Sequence, residues 1–132
     1  IGFALGALLI SIYKEIPFFS PFFIVLLLWY PCFENLFSIL RKNSKKLSPI
    51  YPDNKHLHQL IFFYFKKKLD FSNFKINNIS SFTIISYNLL IFSISLINPG
   101  SSKFQIMLIL FNIIIYLLTY FKLFNFRYKI KF

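Results

Sequence analysis

A chain of 132 residues that is 57% hydrophobic, 22% aromatic and only 14% charged carries more apolar surface than a water-soluble domain of its size can bury. Its formal net charge of +11 would suit nucleic acid, but the basic clusters are separated by long uncharged apolar runs that have no place in a soluble nucleic-acid binder. Lipid is the solvent that covers the remainder, and a single cysteine, Cys32, excludes an internal disulfide.

The first apolar stretch, Ile1 to Tyr13, is short for a crossing of about 20 residues. Its small residues Gly2, Ala4, Gly6 and Ala7 favour close helix contact. With no initiator Met and no basic flank ahead of it, the stretch reads as the end of a longer span and not as a signal peptide.

A turn holding Lys14, Glu15 and Pro17 leads to a second stretch, from about Phe19 to Leu40. Pro31 removes a helix hydrogen bond there and predicts a kink. Glu34 follows it, and either faces protein or a watery cavity inside the span or sits at the interface beside Arg41 and Lys42.

Residues 41–80 read as a polar loop containing one short amphipathic helix. Asp53 is a good N-cap for the run Asn54 to Phe65, in which Leu57, Leu60, Ile61 and Phe65 recur at helical spacing. Lys66, Lys67 and Lys68 lie where a helix C-terminus favours cations, so this helix is expected to rest on the membrane surface. The chain's two histidines, His56 and His58, fall at its N-terminal end, where free N–H groups favour an anion such as phosphate. On a regular helix residues two apart diverge by roughly 200°, so His56 would share a face with Gln59 and not with His58 unless the segment is irregular. The plain alternative is two polar residues on a wet interfacial loop. One His-x-His with a distant Cys32 lacks the ligands for zinc.

The third and fourth stretches, Phe82 to Ile97 and Phe104 to Phe121, flank the tight polar turn Asn98-Pro99-Gly100-Ser101-Ser102 and predict a helical hairpin. The loop 41–80 holds nine Lys and Arg and the tail after Phe121 holds four, against one in each remaining turn, Lys14 and Lys103. With four spans the loop and tail share a side, and the positive-inside rule makes it cytoplasmic. The expectation is thus an all-α polytopic membrane protein: one membrane domain over 1–132, with about four transmembrane helices and a short amphipathic cytoplasmic helix.

The segment Ser48-Pro49 through Pro52-Asp53, Lys55 and His56-Leu57-His58-Gln59 resembles the cytoplasmic motif of the polyprenyl-phosphate N-acetylhexosamine-1-phosphate transferases, which reads Pro-Asp, a basic position, then His-x-His-His. Its setting is similar too: a span ending in Tyr30-Pro31-Cys32-Phe33-Glu34-Asn35 and closing on Arg41-Lys42 precedes it, and two spans and a basic tail follow. The resemblance covers essentially the whole chain but only the C-terminal part of a family member.

It implies a transferase of the cell inner (plasma) membrane that, when complete, moves a sugar 1-phosphate from a UDP-sugar to a polyprenyl phosphate, releasing UMP. Magnesium would be held by aspartates of earlier loops absent from this chain, so the 132 residues alone are expected to be inactive. By the same resemblance His56 and His58 are the catalytic pair that holds the diphosphate. Asp53 and Lys55 shape the substrate-binding loop, and Arg41 or Lys42 meets an anionic headgroup. Gln59 stands where many members have the last histidine, keeping its hydrogen bonds but not a positive charge, and Asn54 stands where an arginine is common. The implied partners are the UDP-sugar, the polyprenyl phosphate and membrane lipid, with a homodimer left open. Two other readings compete: a non-enzymatic anchor or subunit whose basic loop docks on anionic lipid, and a transporter fragment with Glu34 beside the Pro31 break as an ion site.

Overall fold

The structure, a computed structural model, describes residues 2–16, 18–44, 46 and 55–128. Regular structure among them is entirely helical: α1 (Gly2–Glu15), α2 (Pro21–Leu27), α3 (Trp29–Ser44), α4 (Leu57–Lys68), α5 (Asn73–Ser95) and α6 (Ser102–Tyr128). Among the described residues only α5 and α6 are each long and apolar enough to cross a membrane, and α2 with α3 makes a third candidate if the pair is one broken span. The expectation of four spans is therefore reduced. The chain's first stretch forms only the 14-residue α1, and Gly6, expected in close helix contact, has nothing within 4 Å of where its Cβ would stand.

The second stretch is broken where the sequence reading only bent it. Ser20 caps α2 by accepting from the Phe22 amide at 3.2 Å, with Pro21 in the first helical position. Then the axis turns by 71° between α2 and α3. The break falls at Leu28 and not at Pro31, because a proline obstructs the carbonyl four residues before it, here that of Leu27 at the end of α2. Pro31 itself sits in the first turn of α3, where a missing N–H costs nothing.

The loop 41–80 also contracts. α3 runs on to Ser44 and α5 starts back at Asn73, which leaves a four-residue connection between α4 and α5. At the other end α6 continues through most of the basic tail to Tyr128. The turn between α5 and α6 is the expected hairpin, and Gln105 closes it by donating from Nε2 to the carbonyls of Ser95 (3.0 Å) and Asn98 (2.9 Å). This turn seats the start of α2: Ser20 donates its amide to Pro99 O at 2.9 Å, and the Ser20 and Ser102 hydroxyls are 2.9 Å apart.

Polarity is arranged inside out. α6 buries Gln105, Leu108, Asn112, Tyr116 and Tyr120 on one stripe at helical spacing, while Met107, Leu110, Phe111, Ile114 and Leu118 are exposed. In α5, Ser80 and Ser95 are buried and Phe82, Ile85, Leu89 and Leu90 are exposed. Water would reject that surface and hydrocarbon accepts it, whereas buried polar groups hold membrane helices together, as the Tyr87 hydroxyl does by donating to Asn112 Oδ1. The chain therefore has the build of a membrane protein.

Candidate functional site

The histidine-bearing segment is built at the end of the molecule where α3 finishes, α4 lies and α5 begins. His56 is the N-cap of α4, with an extended backbone (φ −69°, ψ 150°), so the helix starts at Leu57. The sequence reading had placed the start at Asn54 with Asp53 as cap; Asp53 and Asn54 lie outside the described residues. Gln59 Oε1 accepts from the His56 amide at 3.3 Å, which is the reciprocal half of a capping box.

Because His56 is not helical, the geometry that would separate the histidines does not apply. Their rings stack 5.6 Å apart with planes 13° from parallel. The irregular segment brings the pair together, and Gln59 joins it through the cap.

Beneath them is a residue that had not been assigned to this site. Glu34 of α3 is buried, and its Oε1 accepts from the Leu57 amide at 2.9 Å and lies 3.0 Å from His56 Nδ1. Glu34 thus serves as a cap supplied from another helix, at the end whose dipole favours negative charge. Its other oxygen, Oε2, has no hydrogen-bond partner among the described residues, and the hydroxyls of Tyr30 and Tyr116 lie within reach of its charge. Of the two places considered for Glu34, this is the one facing protein.

On the far side of His58 opens a groove of about 590 Å³. His58, Gln59 and Lys66 line it from α4, Asn77 and Ser81 from α5, and Arg127 from α6. Partial desolvation holds the His58 imidazole below the usual histidine value; the Glu34 charge pulls it up and His56 pushes it down, but desolvation is the largest influence. Lys66, Asn77 and Arg127 escaped the sequence reading because they come from three helices, and nothing in their local spacing joins them.

The remaining candidates do structural work at the edge of this site. Arg41 Nη1 donates to the Tyr120 hydroxyl at 2.6 Å and to Lys55 O at 3.0 Å, and its guanidinium lies over the Tyr120 and Phe37 rings. It ties α3 to α6 and fixes the backbone just ahead of His56. Lys55 meets Arg41 through its carbonyl, while its Nζ stands 5.6 Å from the Tyr128 ring centroid.

Among the described residues no three His, Cys, Asp or Glu side chains cluster, and the acids lie apart, Glu15 on α1, Glu34 on α3 and Asp70 between α4 and α5.

What this arrangement can do is bind an anion. Cationic and hydrogen-bonding groups from three helices converge on one groove, and the neighbouring imidazole is held in place by a buried carboxylate. Compared with models of known families, with curated proteins and with solved structures, the chain finds no match in any of the three.

Proposed function

We propose that this chain is the C-terminal part of a membrane transferase that moves a sugar 1-phosphate from a UDP-sugar to a polyprenyl phosphate. The observation that carries the reading is the stacked His56–His58 pair beside a groove lined by Lys66 and Arg127, on a segment that resembles the family's histidine motif. Phosphoryl transfer asks mainly for positioning and charge neutralisation, and such a groove supplies both for a diphosphate. His58 with Lys66 and Arg127 meets the phosphates, Gln59 adds hydrogen bonds, and His56 presents its outward edge to the same ligand. Orientation follows the charge: Arg41, Lys55, Lys66 and Arg127 lie at one end of the bundle and face the cytoplasm, while the turn 98–102 faces away.

In the complete enzyme His56→Ala is expected to lower UDP-sugar turnover by about 10²-fold or more while leaving the amount inserted in membrane unchanged. Normal turnover with weakened binding to anionic vesicles would favour the lipid-docking anchor instead.

A further inference from the structure

Glu34 and His56 are 22 residues apart in the chain, yet the carboxylate of one is set against a single nitrogen of the other. The Leu57 amide fixes Oε1 independently of the histidine, since a backbone N–H can only donate. An ionised carboxylate can only accept, so with Glu34 in that form the hydrogen of the 3.0 Å contact sits on Nδ1. Nε2 is then the ring nitrogen left for anything outside, on a side chain that remains 23% exposed. A carboxylate–imidazole pair of this kind sets both tautomer and ring plane wherever a histidine must act through one chosen nitrogen.

We propose that Glu34 is a positioning residue that locks His56 in the Nδ1–H tautomer and so makes Nε2 the nitrogen offered to substrate. The lock stands on the contacts of the ionised carboxylate; what Nε2 meets rests on the transferase reading.

The test uses the full 132-residue chain in detergent micelles with ¹⁵N-labelled histidine, at about pH 8.5, above the ordinary histidine range. The ¹⁵N shifts of the two ring nitrogens report which one carries hydrogen. The native chain is expected to show His56 protonated on Nδ1, and Glu34→Ala to return it to the mixture of a free imidazole, in which Nε2–H predominates. Should Glu34→Ala lose helix content by circular dichroism, Glu34→Gln is the variant to read. Its amide oxygen still receives the Leu57 N–H and can accept from Nδ1 as well, but as a neutral acceptor it is weaker than a carboxylate, so the Nδ1–H fraction is expected to fall without vanishing. A native His56 already carrying its hydrogen on Nε2, or an Nδ1–H fraction undiminished in the folded variant, overturns the proposal.

In the complete enzyme, Glu34→Gln is expected to cost about 10- to 100-fold in kcat with little change in KM, and Glu34→Asp to recover part of it. A large loss for His56→Ala with none for Glu34→Gln also overturns the proposal. If neither substitution affects turnover, the transferase reading falls, and the tautomer measurement still decides whether the lock exists.

Discussion

His58 reports on its surroundings through its titration. Desolvation lowers it, and the two neighbouring groups act in opposite directions, Glu34 raising it and His56 lowering it. Glu34→Gln is therefore expected to move the His58 midpoint further down and His56→Ala to move it up, both read from its ring-proton shifts across a pH series; movement in the same direction would contradict the geometry. A folded-state value below the ordinary one means the folded chain holds fewer protons in that interval. The stabilising contribution is then complete above the ordinary histidine value of about 6.5 and is lost as pH falls through the folded one. An anion in the groove has the opposite effect: it favours the imidazolium, so anion binding is accompanied by proton uptake. That both histidines stand at the start of an apolar helical run was legible. Their stacking was not, because it depends on His56 leaving the helix, and that in turn depends on Glu34 taking the place of a local cap.

Among the elements, the α5–α6 hairpin was the most legible, since Asn98-Pro99-Gly100-Ser101-Ser102 combines a helix breaker with small turn residues between two apolar runs. The ends of its helices were not. α5 begins among Asn73, Lys75 and Asn77, whose polarity reads as loop although nothing in them stops a helix that carries Ile76 into the core. The closure by Gln105 was likewise hidden, because a lone glutamine in an apolar stretch has no local signature. Gln105→Leu leaves the Ser95 and Asn98 carbonyls without their side-chain donor and is expected to cost about 1 kcal/mol, measured by reversible unfolding in mixed micelles against native chain. An unchanged midpoint would mean that the turn is held by the contacts of Pro99 and Ser102 with Ser20 instead. The break in the second stretch had a legible cause in Pro31 but a misleading address, because the residue that a proline disturbs lies a turn earlier.

At the scale of the molecule, the solvent argument from composition and the inside-out burial of α5 and α6 agree, and they come from different observations. What composition could not provide was a place for the phenylalanine and tyrosine rings. At the basic end their rings lie under cations: Lys67 over Phe126, Lys68 over Tyr64, and Arg127 over Phe63 and Tyr128. Aromatic faces and basic heads gathered at one level make an anchor at a membrane–water boundary. In a Cys32→Ser background, Lys66→Cys is expected to react with an impermeant maleimide from the cytoplasmic side and Lys103→Cys only from the opposite side. Labelling of both from one side would mean that α5 does not cross.

The seat of α2 on the distant turn also bears on how the protein is made. Ser20 leaves the ribosome long before its partner Ser102, which follows 82 residues later. Until α6 is in place, this seat for the start of α2 does not exist. Assembly at this point therefore waits for the later hairpin: on arrival, it fastens a segment that was synthesised before it.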